Sequence, residues 1–189
     1  MKVLPGLLVV LILASTLELP AQSSAVASMQ RKLEHVEKNG GLAQPDPSPT
    51  EFTEAEVNAY FASGNIQLPV GVRSVKFHGE PGVVTANTRV GFDQLKAGRS
   101  SYNPLLSMFS GVHDVEVVAH AYGKRGEGFV HVDSVSLDDV QIPRFALELF
   151  AEKYLQPKYP NIGLDSRFAL PARVDTATVG KHVLTLTQR

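Results

Sequence analysis

The chain has 189 residues and a formal net charge of −1, with 18 lysine and arginine residues against 19 aspartate and glutamate residues. This balance speaks against a nucleic-acid-binding protein, because such proteins hold the phosphate backbone with a surplus of basic side chains. The sequence contains no cysteine, which excludes disulfide bonds, a thiol nucleophile and thiolate metal ligands. The length suits one domain with a single hydrophobic core.

The first two dozen residues have the three-part pattern of a secretory signal peptide. One positive charge at Lys2 precedes an apolar run from Val3 to Ala14, and a stretch with several small residues follows it. The apolar run is shorter than the roughly 20 residues that a membrane-spanning helix needs. The sequence therefore predicts an exported protein, periplasmic or extracellular. Its signal peptide covers residues 1–21, and the alternative cleavage site is Ala25.

Residues 22–49 are predicted to form an amphipathic helix followed by a proline-rich spacer. Apolar residues recur every three or four positions from Val26 to Val36, and Gly40-Gly41 ends the pattern. Between residues 44 and 49 every second residue is proline, so the helix cannot continue there. We predict that this N-terminal arm can be separated from a single α+β domain over residues 50–189.

The α+β domain is predicted to begin with a short helix that starts at Thr53. Thr53 and Glu56 have the spacing of a capping box, in which the two side chains satisfy free backbone amides of the first helical turn. Val57, Tyr60 and Phe61 then give this helix one apolar side.

Strand patterns dominate from Gly71 onward and include two hairpins. The first hairpin turns at residues 80–82, and alternation places its apolar residues on one face: Val84, Ala86, Thr88, Val90 and Phe92. The second turns at Arg125-Gly126, so residues whose numbers sum to 251 face each other. This register gives one face of small, mostly apolar side chains: Val115, Val117, Ala119 and Ala121, with Val130, Val132, Ser134 and Ser136.

A strongly apolar helix is predicted after the second hairpin. Pro143 suits the first helical position, and the helix that follows to about Gln156 is apolar around most of its circumference. Such a helix has to be largely enclosed by the rest of the protein. Two or three more strands follow, within residues 165–187. The predicted fold class is α+β, with a curled antiparallel sheet of hairpins wrapped on the long apolar helix.

Two histidines and one aspartate on the second hairpin form the clearest constellation for metal binding. His120 and His131 face each other in the predicted register, and Asp133 lies on the same face. Two imidazoles and a carboxylate can ligate zinc and leave an open position that activates water. The same side chains can equally form a solvated patch, and a shift of one residue in register would separate the histidines. We therefore assign no cofactor, no metal and no catalytic residue.

Four short motifs occur in an order that resembles known families. They are Thr53–Tyr60 (TEAEVNAY), Leu68–Val72 (LPVGV), Val140–Pro143 (VQIP) and Leu170–Val174 (LPARV). In this order the chain resembles the LmeA-like and YpmS-like families of exported bacterial envelope proteins, from about Thr53 to its end. The resemblance implies a fold similar to tubular lipid-binding domains and a role in handling envelope lipids, without an established catalytic residue to transfer.

The leading hypothesis is a non-enzymatic, exported protein of the cell envelope that binds a lipid or another apolar molecule. Small side chains on the inner face of the sheet would leave an apolar groove against the long helix, which suits such a ligand. The same apolar strands and helix are also what the filled core of any α+β domain needs, and this alternative stays open. The residues predicted to line it are Phe92, Val117, Ala119, Val130, Val132, Phe145, Leu149 and Phe150. Lys124-Arg125 at the hairpin tip could also make peripheral membrane contact with anionic lipid headgroups, although a charged turn is ordinary in any hairpin. No nucleic-acid partner is expected.

Two other functions stay open at this point. The protein could be an interaction module of the envelope whose N-terminal helix and spacer dock on a protein partner. It could also be a metal-dependent hydrolase built on His120, His131 and Asp133.

Overall fold

The computed structural model describes residues 19–96, 109–157, 159–161 and 163–189. The predicted signal peptide, residues 1–21, lies almost entirely outside these ranges. Within them, no helix combines the length and the apolar character that crossing a membrane requires. The predicted α+β class with an antiparallel sheet is confirmed, because in the described ranges nine strands form one open sheet in which every pair is antiparallel.

The elements follow one another along the chain in a mixed order. The helices are α1 (Leu19–Gly40), α2 (Glu54–Ala62), α3 (Phe92–Leu95) and α4 (Arg144–Phe150), the last continued by a π-helical stretch, Ala151–Leu155. The strands are β1 (Thr50–Thr53), β2 (Val72–Glu80), β3 (Val83–Gly91), β4 (Val112–Lys124), β5 (Glu127–Leu137), β6 (Val140–Gln141), β7 (Asp165–Ala169), β8 (Val174–Gly180) and β9 (Val183–Gln188). The strand order is β1-β9-β8-β4-β3-β2, and β5 joins the other edge of β4 and pairs with β6 and β7.

Both predicted hairpins are present. The β2–β3 hairpin closes at Pro81-Gly82, where Gly82 has a φ of 76°, as a turn with proline before a left-handed glycine requires. The β4–β5 hairpin closes at Arg125-Gly126, with φ values of 55° and 77°, which is the conformation of a tight hairpin turn.

The predicted β4–β5 register holds for only half of the hairpin. Residue numbers sum to 251 from the turn as far as the pair Ala119 and Val132, and there a β-bulge shifts the register by one residue. Val117 therefore faces Val135 instead of Ser134. The prediction is wrong beyond Asp133 because the bulge moves Val135 and Leu137, rather than two serines, to the apolar side of the sheet.

Strand β4 changes partner along one edge, and this change brings two hairpin tips together. Residues 112–120 pair with β3, whereas Tyr122 and Gly123 pair with β8. A Cβ atom at Gly123 would lie 2.7 Å from the Cβ of Ala177, so glycine is needed for the two backbones to approach. The amide of Gly82 in the β2–β3 turn then donates to the carbonyl of Val179 on β8 at 2.9 Å.

The apolar side chains pack into two separate clusters. The first lies between the sheet and α4 and contains Val90, Phe92, Phe109, Val115, Leu137, Ile142, Ala146, Phe150 and Tyr154. The second lies between α1, β1 and β8 and contains Met29, Val36, Phe52 and Val174.

The predicted enclosure of the long apolar helix is not confirmed. Ala146, Phe150 and Tyr154 are buried, four residues apart, so α4 and its π-helical end pack along one side. On the other side Phe145 is 55% exposed. The sheet therefore covers one face of this helix and does not wrap around it.

The N-terminal helix α1 packs against α2 through a charged contact. The Lys32 ammonium donates to both carboxylate oxygens of Glu56 at 2.7 Å, and the Ser28 hydroxyl donates to the same carboxylate at 2.6 Å. Thr53 and Glu56 form the predicted capping box, which is confirmed. Burial raises the pKa of Glu56, but the hydrogen bonds from Lys32, Ser28 and Thr53 outweigh it and lower the pKa to about 2. An ionised carboxylate thus joins the two helices.

Candidate functional site

Three chain segments meet where the β2–β3 and β8–β9 hairpin tips reach the start of α2. Glu54 is the first residue of α2, His78 lies near the end of β2, and His182 lies in the turn between β8 and β9. The Glu54 amide donates to the His182 carbonyl at 2.9 Å, and the His182 amide donates to the Gly79 carbonyl at 2.8 Å. Backbone hydrogen bonds therefore fix the three segments relative to one another.

The side chains of these residues converge on the Glu54 carboxylate. The imidazole Nδ1 of His182 lies 2.8 Å from Glu54 Oε2, and the Nδ1 of His78 lies 3.2 Å from the same oxygen. The Gly79 amide donates to Oε2 at 3.1 Å. The two imidazole rings meet edge to face with their centroids 5.0 Å apart. One oxygen and two ring nitrogens thus lie within 4.8 Å of one another.

The electrostatic environment keeps the Glu54 carboxylate ionised. Partial burial raises its pKa, but hydrogen bonds from His182, from the Gly79 amide and from His78 together outweigh burial and lower the pKa below its usual value. The carboxylate is therefore a negatively charged group between two imidazole rings.

His182 adopts an unusual backbone conformation. Its φ is 57°, in the left-handed region that favours glycine and in which histidine and asparagine also occur. Non-glycine residues in this region carry strain that the surrounding structure has to offset. Here the hydrogen bonds of the His182 amide and carbonyl hold the residue, so its imidazole projects toward Glu54.

An apolar pocket of about 220 Å³ lies next to these three residues. Its lining comes from β1, α2, β2, β3, β8 and β9 and consists of Phe52, Glu54, Val57, Phe61, Phe77, His78, Gly79, Val84, Val179, His182, Val183 and Leu184. Gly79 favours the close approach of the hairpin tips, because a Cβ there would make a tight contact of 3.2 Å with the Gly180 carbonyl oxygen. The polar residues of the lining are Glu54, His78 and His182, and the rest of the wall is apolar.

Asn58 holds α2 over the pocket. Its side-chain amide donates to the Phe77 carbonyl at 2.8 Å, and its side-chain oxygen accepts from the Phe77 amide at 2.7 Å. These two bonds satisfy backbone groups of Phe77 on the edge strand β2, which has no neighbouring strand on this side among the described residues. Phe61 and Phe77 then meet edge to face at 5.0 Å between ring centroids, and they form one wall of the pocket.

The residues predicted to line a ligand groove lie elsewhere in the fold. Phe92 and Phe150 pack against each other with ring centroids 5.5 Å apart, in the cluster beside α4. Val117 and Leu149 pack against that cluster, Phe145 is exposed, and Ala119 is buried. Val130 and Val132 are half-buried on β5. None of these eight residues lines the pocket beneath α2.

The structure brings the predicted metal candidates close, but the Nδ1 atoms of the two histidines bond to different carboxylates, and the Nε2 of His131 lies 3.9 Å from Asp133. His120 and His131 face each other, as predicted. The Nδ1 of His120 lies 2.7 Å from Asp133, whereas the Nδ1 of His131 bonds to Asp165, which also accepts from Arg144 at 2.9 Å. In the described part of the chain, the ligand atoms that converge are those of Glu54 and its two histidines.

The sequence alone did not point to the group of Glu54, His78 and His182, because these residues are distant in the chain. In sequence, Glu54 lies 24 positions before His78, and 104 positions separate His78 from His182. A local signal could have pointed to these histidines. Each lies close to a glycine at a hairpin end, His78 beside Gly79 and His182 two residues after Gly180.

Another histidine, His113, lies outside this site in surroundings that favour its protonated form. Its Nδ1 lies 2.6 Å from the Asp138 carboxylate and its Nε2 lies 2.6 Å from the Ser110 carbonyl oxygen. Both ring nitrogens face acceptors, so both are expected to carry protons. The Asp138 carboxylate, the Ser110 carbonyl and nearby Asp93 raise the pKa of His113 above its usual value, against the effect of burial.

This pair predicts a loss of stability with rising pH. A raised pKa in the folded state means that His113 stabilises the fold below about pH 6.5 and that this contribution disappears as the pH rises through the raised pKa. The melting temperature of the wild type should therefore exceed that of His113→Gln most at about pH 5–6, where His113 is protonated and Asp138 is ionised, and the difference should shrink in alkaline buffer. Thermal melts of both proteins across this range test it, and a difference that stays constant with pH would contradict it.

Comparisons of the chain with protein-family models, with curated proteins and with solved structures found no match.

Proposed function

We propose that this protein is a non-enzymatic, exported binding protein of the cell envelope that holds part of an apolar ligand in the pocket beneath α2. The observation that carries the proposal is the pocket itself, about 220 Å³ with a wall that is apolar apart from one polar cluster. Apolar walls with a few placed polar groups are typical of small-molecule sites. The leader pattern of residues 1–21 and the motif order similar to the LmeA-like and YpmS-like families support the exported, lipid-related part.

The volume limits what can enter. An apolar cavity of about 150 Å³ accommodates benzene, so a pocket of about 220 Å³ has room for one ring or a short alkyl chain. A lipid would therefore insert the end of an acyl chain and leave the rest outside. Glu54, His78 and His182 lie at one side of the pocket, so we expect the polar end of the ligand to lie near them.

A series of n-alkanols of increasing length tests this proposal. Each methylene that enters an apolar site contributes about 0.8 kcal/mol, or about fourfold in affinity. The dissociation constants from calorimetry, measured in the presence of a chelator, should fall by this factor per carbon and level off once the chain outgrows the pocket. A series without saturable binding would overturn the proposal.

Two variants locate the binding site. Val84→Phe places a larger side chain in the pocket and is expected to weaken alkanol binding about tenfold, the equivalent of losing about two methylenes of contact. Phe145→Ala removes an exposed ring that the sequence analysis assigned to the ligand and should leave the affinity unchanged. The opposite result would place the ligand beside α4.

A further inference from the structure

We propose that Glu54, His78 and His182 bind a zinc ion at the edge of the pocket. Two imidazole nitrogens and one carboxylate oxygen are a common set of three protein ligands for Zn²⁺. In this protein the three ligand atoms already lie within 4.8 Å of one another. The proposal concerns the metal alone and is independent of the apolar ligand.

Two of the three distances between ligand atoms are close to those of a tetrahedral site, and the third, between the two imidazole nitrogens, is at most 4.8 Å. Ligands 2.0–2.1 Å from a tetrahedral zinc are about 3.3 Å from each other. The two nitrogen–oxygen distances here are 2.8 Å for His182 and 3.2 Å for His78. Small outward rotations of the side chains would therefore open the space that the ion needs, without a change in the backbone.

A second carboxylate is placed to orient one of the imidazoles. Zinc takes the Nδ1 lone pairs, so each ring must carry its proton on Nε2. The Nε2 of His78 lies 3.5 Å from Oε1 of Glu80. Histidines that bind metals usually donate their other ring N–H to such a carboxylate, which fixes the tautomer and the ring orientation.

The scaffold holds the ligands on three separate segments that are tied together. The Glu54 amide bonds to the His182 carbonyl and the His182 amide bonds to the Gly79 carbonyl, at 2.9 and 2.8 Å. Glu54 follows its N-cap Thr53 at the start of a capped helix. A site whose ligands are positioned before the ion arrives loses less conformational freedom on binding.

The ligand chemistry selects the ion. Mg²⁺ and Ca²⁺ prefer oxygen ligands, whereas imidazole suits zinc and other late transition metals. Three protein ligands leave a fourth position for water or for a donor atom of another molecule. The competing constellation on β4 and β5 is less suitable, because the Arg144 guanidinium is bonded to the Asp165 carboxylate that His131 uses, and this positive charge disfavours a cation.

Calorimetric titration with Zn²⁺ tests the site in the full chain. The wild type should bind one zinc ion per chain and should not bind Mg²⁺ measurably. His182→Asn and His78→Gln should each weaken zinc binding by about 100-fold or more, because loss of an outer partner of a metal ligand already costs about 10- to 100-fold and each of these variants removes a ligand itself. Asparagine tolerates the left-handed backbone of residue 182, so this variant keeps the turn. Glu80→Gln should weaken binding about tenfold.

His120→Gln is the matched control, because it removes an exposed histidine that is also paired with a carboxylate. It should bind zinc as the wild type does. Zinc should raise the melting temperature of the wild type and of His120→Gln, but not that of His182→Asn or His78→Gln. Absence of zinc binding in the wild type would overturn the proposal. Full zinc affinity in both His182→Asn and His78→Gln, or loss of zinc binding in His120→Gln, would also overturn it.

Discussion

Replacing Phe52 by alanine is expected to lower the free energy of unfolding by about 3–5 kcal/mol. Phe52 is 1% exposed and joins Met29, Val36 and Val174 in the second cluster. Its ring also forms part of the pocket wall. Removing it therefore costs the transfer of the ring and enlarges a space that is already open, so the surrounding side chains have little chance to collapse into it. Urea unfolding followed by circular dichroism measures the change.

Phe145→Ala is the control for this experiment, because it deletes the same side chain from a site that is 55% exposed. It should change the free energy of unfolding by about 0.5 kcal/mol or less. A loss of under about 1 kcal/mol in Phe52→Ala would contradict the described packing of Phe52 against α1 and β8.

Replacing Phe150 by alanine should also cost about 3–5 kcal/mol. The Phe150 ring lies between three other aromatic rings, with centroid distances of 5.5 Å to Phe92, 4.4 Å to Phe109 and 5.1 Å to Tyr154. Each such contact adds about 0.5–1.5 kcal/mol to the effect of burial. If Phe150 also lines a ligand groove, as the sequence predicts, its removal should in addition weaken ligand binding. Urea unfolding and alkanol titration of the same variant separate the two outcomes.

The two apolar clusters allow a check on the unfolding free energies expected for the Phe52 and Phe150 variants. Phe52 and Phe150 belong to different clusters, and substitutions without shared partners usually add within about 0.5 kcal/mol. The milder variants Phe52→Leu and Phe150→Leu keep the protein folded and allow a double variant to be measured. A large departure from additivity would mean that the two cores are one.

Local sequence signals predicted the parts of the fold that depend on local chemistry. The Thr53–Glu56 capping box, the Pro81-Gly82 turn and the Arg125-Gly126 turn are each set by a few adjacent residues. Alternation of apolar residues then predicted the strands on either side of the turns. These elements are confirmed because tertiary packing has little influence on them.

Features that depend on packing could not be predicted in this way. The bulge next to Asp133 exchanges serines for Val135 and Leu137 on the buried side, which is an advantage only once α4 packs there. The exposure of Phe145 likewise depends on how much of α4 the sheet covers. Periodicity alone predicted a helix surrounded by protein, because nearly all of its side chains are apolar.

The candidate site depended on the arrangement of the hairpins. His78 and His182 lie on hairpins whose tips meet because β4 changes partner after His120. No spacing rule connects two residues on separate hairpins, so the sequence drew attention to His120 and His131, which share one hairpin. The pocket has the same origin, since its lining comes from six elements.

The central claim is that the pocket beneath α2 accepts an apolar ligand, and methyl NMR spectra recorded during titration with n-octanol test it most directly. We predict that the methyl signals of Val84, Val179 and Leu184 shift and saturate together at one dissociation constant, while those of Val117 and Leu149 beside α4 stay in place. Saturable shifts confined to Val117 and Leu149, or no saturable shift at any methyl group, would contradict the claim.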